Sequence, residues 1–130
     1  MIVLDASAVV DLLIEPATVT GRLRARLSGL SQAHVPHLLE VEVTHALRRL
    51  LLGGRLTPAA ARRAVRRLAV MPLVRWPHTP LLGRALALRD RLTAYDAVYV
   101  VLAEALGATL LTRDRRLARA GGHRAAVELV

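Results

Sequence analysis

Short apolar runs alternate with helical patterns along this 130-residue chain, and this alternation limits the fold more than any other feature. Strands that alternate with helices predict a parallel sheet covered by helices on both faces. Five runs have the length and composition of strands, at residues 2–4, 33–35, 73–76, 108–112 and 126–130. We therefore predict a single domain over residues 1–130, with an α/β fold of three layers (α/β/α) around a central parallel sheet.

The segments between these strands carry start and stop signals of helices. Ser7 is placed to cap a first helix that runs to about residue 14, and Pro16 to open a second that reaches about residue 29. Gly53-Gly54 ends a third helix, and Thr57-Pro58 starts a fourth that should form a hairpin with it. The third and fourth helices and those that follow are expected over residues 37–52, 57–70, 80–91, 93–106 and 113–120.

Two of the predicted strands are followed closely by an aspartate, Asp5 after the first and Asp114 after the fourth. Ligands of open parallel sheets bind beyond the carboxyl ends of the strands, so the two carboxylates converge if these strands are neighbours. Hard divalent cations such as Mg²⁺ or Mn²⁺ prefer oxygen ligands, and such an ion can activate water for attack on a phosphodiester. Taken singly, each aspartate has an ordinary alternative role as a helix cap.

The charge balance indicates a polyanionic partner and excludes several enzyme classes. Nineteen basic residues, all of them Arg, stand against ten acidic ones, and a formal net charge of +9 favours nucleic acid. The absence of Lys excludes P-loop and Schiff-base chemistry, and it argues against phosphatases and receiver domains that combine an Asp with a Lys. The chain has no Cys, no secretory signal and no long apolar run, so we expect a soluble, cytoplasmic protein without membrane contact.

Four stretches of the chain resemble, in order, the motifs of the PIN-domain ribonucleases, and among these the VapC toxins of bacterial toxin–antitoxin pairs. The stretches read VLDASAVVD at residues 3–11, VPHLLEVEVTHALRR at 35–49, LTAYDAVYV at 92–100 and LLTRD at 110–114. An aspartate after an apolar strand is common by itself. Four motifs at compatible spacing over nearly the whole length make a specific pattern.

The resemblance implies a PIN-type fold and a divalent-metal-dependent endoribonuclease that acts as a toxin. On that mapping the catalytic, metal-binding carboxylates are Asp5, Glu42, Asp96 and Asp114, with Mg²⁺ as the cofactor and Mn²⁺ as its alternative. The mapping also makes Ser7 and Thr112 polar neighbours of the acids. The implied partners are an RNA substrate, a VapB-like antitoxin that occupies the site, and a second copy of the chain in a homodimer.

Glu40 competes with Glu42 for the site, because the two lie about 200° apart on one helix and only one can point at a given place. The motif favours Glu42, while Glu40 near the helix start is also explained by the helix dipole. His45 stands where the family often has a small polar residue such as Asn. It either supports Glu42, perturbs the site, or is a partly exposed histidine without a catalytic role.

Other polar and aromatic residues have ordinary interpretations beside functional ones. We expect Asp11 to be a surface acid and the remaining histidines to be structural. Arginines around Asp114 either grip phosphates or form a solvated helix face. Tyr95 and Tyr99 are positioned to stack an RNA base, but core packing is the simpler expectation for both, as it is for Trp76.

The alternative to a toxin nuclease is a PIN-fold module that binds or processes RNA without a toxin role. A metal-dependent cleavage assay separates the two.

Overall fold

The computed structural model describes residues 1–14 and 21–130, and within them one five-stranded sheet whose strands all pair in parallel. The strand order is β3-β2-β1-β4-β5. The strands are β1 (Ile2–Leu4), β2 (Ala33–Pro36), β3 (Leu73–Trp76), β4 (Thr109–Thr112) and β5 (Ala126–Leu129). The predicted parallel sheet is therefore confirmed, and β1 and β4 are neighbours.

Helices cover the sheet on both faces and give the predicted three-layer α/β/α architecture. The helices in the described ranges are α1 (Ala6–Ile14), α2 (Gly21–Leu27), α3 (Leu38–Leu52), α4 (Pro58–Val70), α5 (Leu82–Ala87), α6 (Ala94–Leu106) and α7 (Arg115–Arg119). Helices α1, α3 and α4 pack against one another, whereas α6 packs along β1, β2, β4 and β5 with α5 beside it. None of the helices within residues 1–14 and 21–130 combines the length and the apolar character that crossing a membrane requires.

The core between the layers is built from aliphatic side chains. All three residues of β1 are buried, as are Leu110 and Leu111 of the neighbouring β4. The middle of α6 is apolar on every side and buried from Ala97 to Ala103. Complete burial of one Leu or Val side chain stabilises the fold by about 1.5–3 kcal/mol, so these central elements hold the carboxyl edge of the sheet in place.

The start of α1 differs from the sequence prediction. The helix begins at Ala6, and Asp5 rather than Ser7 stands at its amino terminus, where the Asp5 Oδ1 accepts the Ala6 N–H at 2.8 Å. Ser7 lies within the first turn and turns its hydroxyl back to Asp5. The predicted cap at Ser7 is wrong because the strand ends one residue before Asp5 and the helix follows without a spacer. The predicted helix start at Pro16 lies outside the described residues.

The helix predicted over residues 80–91 is broken into shorter pieces. A 3₁₀ turn at Thr79–Leu81 leads into α5, which ends at Ala87. Beyond it, the Leu88 and Arg91 N–H groups each bond a carbonyl three residues back, a tighter pattern than that of an α-helix. The caps at Thr57 and Thr93 and the left-handed Gly107 after α6 agree with the prediction.

Candidate active site

The carboxyl ends of β1 and β4 form the centre of the candidate site. Leu4 is in register with Leu111, so the residues that follow the two strands leave the sheet side by side. The chain places β2 on one side of β1 and later returns to place β4 on the other side. This reversal of direction leaves a crevice beyond the strand ends, which is where open α/β sheets bind their ligands.

Asp5 is buried at this crevice, and its carboxylate accepts hydrogen bonds from one residue of α1 and from the last residue of β4. Its Oδ2 accepts the Ser7 hydroxyl at 2.5 Å and the Thr112 hydroxyl at 2.8 Å. Those hydroxyls in turn accept the backbone N–H groups of Arg113 and Asp114, both at 3.0 Å. The Asp5 carboxylate is therefore fixed in direction, and the two polar neighbours expected from the resemblance do contact it.

Glu42 reaches the crevice from the second turn of α3. Its Oε2 accepts a short hydrogen bond from the phenol of Tyr99, a buried residue of α6. Burial raises the pKa of Glu42, the Tyr99 hydrogen bond opposes that rise, and repulsion by Asp5 and Asp96 adds to it. The pKa of Tyr99 is raised well above its usual range, first by burial and then by Glu42, so the phenol remains protonated and donates.

The side chains of Glu40 and Glu42 point in different directions in the structure. Glu40 points away from the crevice and pairs with Arg75 of β3, with 2.7 Å between Arg75 Nε and Glu40 Oε1. Position along the helix alone left both acids open, and the location of Arg75 decides between them. Glu42 is the member of the pair that lines the crevice.

Asp96 enters from the first turn of α6, whose amino terminus lies at the same edge of the sheet. Thr93 caps this helix by accepting the Asp96 N–H at 3.1 Å, and this bond fixes the backbone of the acid. Burial raises the pKa of Asp96, a hydrogen bond between the Thr93 side chain and the Asp96 carboxylate lowers it, and the charges of Asp5 and Asp114 raise it further.

Asp114 has the helix-capping role that the sequence left open. Its Oδ1 accepts the Arg116 N–H at 2.7 Å at the start of α7, and the Arg116 guanidinium lies 3.3 Å from Oδ2. Burial by itself would raise the pKa of Asp114, but these bonds and the N–H of Leu117 together lower it below the ordinary value. The Asp114 carboxylate is therefore ionised while Glu42 and Asp96 resist ionisation.

One cavity of about 860 Å³ is lined by all four predicted acids, which come from four separate stretches of the chain. The charges of Asp5 and Asp96 add to the raised pKa of Glu42, and those of Asp5 and Asp114 add to the raised pKa of Asp96, so the space between the acids is negative. The structure thus brings together the four acids of the predicted site. The catalytic and metal-binding roles of Asp5, Glu42, Asp96 and Asp114 stay a prediction.

The rim of the cavity holds residues whose positions the sequence did not specify. Asp11, expected to be a simple surface acid, lines the cavity and pairs with the Arg113 guanidinium. Arg49 and the exposed His45 lie along the α3 side. Tyr95 is 62% exposed at the mouth, so the expectation that it packs in the core is wrong, whereas Tyr99 is buried as expected.

Trp76 and the histidines near it lie at β2 and β3. Trp76, at the end of β3, is about one-third exposed rather than buried in the core, and its indole N–H donates to Nδ1 of His34 at 3.1 Å. The ring of His37 stands edge-on to that of His78, with centroids 6.4 Å apart. None of these rings lines the acidic cavity.

The donor chemistry of the cavity fits a hard divalent cation. All four groups offer carboxylate oxygens, and an ion between them would relieve the repulsion that adds to the effect of burial on the pKa values of Glu42 and Asp96. In the described part of the chain, no three His, Asp or Glu side chains stand close enough to form a ready-made metal cluster. The arrangement therefore suits an ion such as Mg²⁺ that takes few protein ligands and keeps several waters.

Comparison with known proteins agrees with this geometry. The PIN domain family model matches residues 2–123. Among curated proteins, Ribonuclease VapC1 of Mycobacterium tuberculosis is 43% identical over 129 residues, covering 98% of this chain and 96% of that protein. Ribonuclease VapC12 of the same organism is 40% identical over 130 residues, covering 100% of this chain and 99% of that protein.

Among solved structures, PAE2754 from Pyrobaculum aerophilum superimposes with a TM-score of 0.68 at 27% identity, covering 97% of this chain and 81% of that one. Sequence relatives and the shared fold point to one family over nearly the full length. The chain belongs to the PIN-domain family, among the VapC ribonucleases.

Proposed function

We propose that this protein is a divalent-metal-dependent endoribonuclease that hydrolyses phosphodiester bonds of RNA. The observation that carries the proposal is the single cavity lined by Asp5, Glu42, Asp96 and Asp114 at the carboxyl edge of a parallel sheet. The ribonuclease names of its relatives and the net charge of +9 support RNA as the substrate. We further propose that residues 1–130 work as one domain.

The residues of the cavity have distinct tasks in this proposal. Asp5, held rigidly by Ser7 and Thr112, and Asp96 are the principal metal ligands, with Glu42 next and Asp114 acting through water. A bound Mg²⁺ or Mn²⁺ would supply Lewis-acid stabilisation of negative charge on the phosphate. Arg113 and Arg49 lie at the rim, where their charges attract the phosphates and offset repulsion between the RNA and the acids.

A cleavage assay with matched variants tests the nuclease. Purified protein is incubated with end-labelled RNA in Mg²⁺, in Mn²⁺ or in a chelator, and we expect cleavage only with a metal, leaving 5′-phosphate and 3′-hydroxyl ends. Asp5→Asn and Asp96→Asn should abolish cleavage. Asp90→Asn is the control, because Asp90 is an exposed acid that does not line the cavity.

Cleavage that persists in the chelator, or equal rates for Asp96→Asn and Asp90→Asn, would contradict this mechanism. RNA binding without any cleavage would favour the second candidate, a PIN-fold module that binds or processes RNA without a toxin role.

We also propose that the nuclease is the toxin of a toxin–antitoxin pair. It would act in the cytoplasm as a homodimer, silenced by a VapB-like antitoxin that covers the acidic cavity. The VapC names of its relatives support the toxin role. Expression of the protein in bacteria should arrest growth, and Asp5→Ala should relieve the arrest. If the wild type and Asp5→Ala arrest growth equally, RNA cleavage is not the cause of the arrest.

A further inference from the structure

A second groove, of about 510 Å³, runs between the helices of the α3–α4 hairpin and lies outside the acidic cavity. Its floor is apolar and includes Leu47, Leu51 and Val65. Its edges carry three exposed arginines, Arg48 from α3 and Arg62 and Arg66 from α4, which we call the arginine rim.

Among the described residues, none supplies a counter-charge to the arginine rim. In residues 1–14 and 21–130 each of the ion pairs involves other arginines, and Arg48, Arg62 and Arg66 make no hydrogen bond there either. Arg62 and Arg66 are one helical turn apart, so their guanidinium groups lie on the same face of α4. Three unpaired positive charges around one groove are favourable only where an anionic ligand or solvent ions offset them.

Helix α3 is the shared wall of the groove and the acidic cavity. Glu42, His45 and Arg49 of this helix line the cavity, while Thr44 and Arg48 line the groove. His45 and Arg48 are three positions apart and are therefore neighbours on the helix surface. An RNA strand that left the cavity over His45 would therefore meet Arg48 next, and Arg62 and Arg66 of α4 line the same groove as Arg48.

We propose that the arginine rim holds the phosphate backbone of single-stranded RNA on one side of the cleavage point. This inference rests on the proposed ribonuclease function and adds to it a binding surface for the substrate outside the acidic cavity. Arginine pairs with phosphate through two parallel hydrogen bonds, and the apolar floor suits the faces of ribose and bases. An acidic polypeptide is the rival occupant. We favour RNA because the groove shares helix α3 with the proposed cleavage site, and an acidic polypeptide gives no reason for this proximity.

The test compares two double variants of equal charge. Arg62→Gln/Arg66→Gln removes part of the arginine rim, and Arg89→Gln/Arg91→Gln removes two exposed arginines that line neither the groove nor the cavity. Both are made in the full chain carrying Asp96→Asn, so that the RNA stays intact. Affinity for a fluorescent single-stranded RNA is measured by anisotropy over a series of salt concentrations.

We expect the rim variant to bind RNA roughly tenfold more weakly and the salt slope to fall by about 1.4, since a phosphate contact to a single strand contributes about 0.7. The control pair should stay within about twofold of the parent. Equal affinity and slope for the two double variants would overturn the inference. A competition experiment gives a second contrary outcome. If poly-glutamate displaces the labelled RNA from the parent protein as effectively as unlabelled RNA of equal charge does, the groove is assigned to an acidic polypeptide and the inference is overturned.

Failure of the inference is distinguishable from failure of the proposed function. If the wild-type protein cuts RNA in the metal-dependent assay but the rim variant binds like the control, only the groove assignment is wrong. If the wild-type protein never cuts RNA, the nuclease proposal fails whatever the rim variant does.

Discussion

The phenol of Tyr99 on α6 donates a hydrogen bond to the Glu42 carboxylate on α3, and this bond joins two helices that reach the acidic cavity from different layers of the fold. Tyr99 is the largest fully buried side chain among the described residues. Because its ring is locked by packing, its hydroxyl defines where the Glu42 oxygen lies. The position of one predicted catalytic acid is thus set by the core rather than by its own helix.

Replacement of Tyr99 by Phe should therefore weaken the site without removing any acid. We expect a loss of roughly 10- to 100-fold in RNA cleavage and in Mn²⁺ affinity, the range typical of residues that orient a metal ligand. Calorimetric titration with Mn²⁺ separates this effect from a change in RNA binding. Tyr95→Phe is the matched control, because Tyr95 is exposed one turn away. Equal Mn²⁺ affinities in the two variants would show that the bond does not position Glu42.

The two glutamates of α3 should differ sharply in their effect on activity. Glu42→Gln should reduce cleavage by more than the roughly 10- to 100-fold expected of a supporting residue. Glu40→Gln should leave the cleavage rate nearly unchanged. It should lower the free energy of unfolding by no more than about 1 kcal/mol, since the Glu40–Arg75 pair is partly exposed. Steady-state cleavage and urea unfolding of both variants measure this contrast, and a large loss of activity in Glu40→Gln would contradict the assignment.

The ionised side chain of Asp96 should lower the free energy of unfolding at neutral pH. Burial and the charges of Asp5 and Asp114 raise its pKa, so the folded state disfavours the ionised form relative to the unfolded state. We expect Asp96→Asn to melt a few degrees higher than the wild type at neutral pH in a chelator. The difference should shrink as the pH falls through the raised pKa, because the wild-type carboxyl then becomes protonated in the folded state.

Thermal melts at several pH values, with and without Mg²⁺, test this expectation. Added Mg²⁺ should stabilise the wild type more than Asp96→Asn, since the ion would offset the repulsion between the acids. The control Asp90→Asn should follow the wild type throughout. A lower melting temperature for Asp96→Asn at neutral pH would mean that the acid contributes structural bonds that outweigh its repulsion.

Arg67 should stabilise the carboxyl end of α1 from the neighbouring α4. Its guanidinium donates to the carbonyl oxygens of Leu13 at 2.9 Å and Leu12 at 3.2 Å, which are among the last of that helix. We expect Arg67→Gln to lower the free energy of unfolding by about 1 kcal/mol, from lost hydrogen bonds and the helix dipole. Arg63→Gln on the same helix should change it by less than about 0.5 kcal/mol. Equal effects in chemical denaturation would contradict this role for Arg67.

Much of the fold was predictable because its signals are local. Alternating apolar runs indicated all five strands, and Thr57, Thr93 and Gly107 marked helix ends through backbone groups only a few residues away. The two local errors have a common cause. In both places the chain turns more tightly than helix propensities suggest. The buried strand β1 fixes where α1 must begin, and the buried side chains of Leu88 and Leu92 fix the path after α5.

Local patterns were enough to predict that acids follow the ends of two parallel strands, and the motifs indicated which four belong together. The basic charge follows from composition, which does not depend on folding. Folding was needed to show that Arg75 pairs with Glu40 while Tyr99 holds Glu42, that Arg113 pairs with Asp11, and that α3 lies between the cavity and the arginine rim. These contacts join residues far apart in the chain. The helical period gives the direction of a side chain around the helix axis, but it does not tell which residues of other elements lie in that direction.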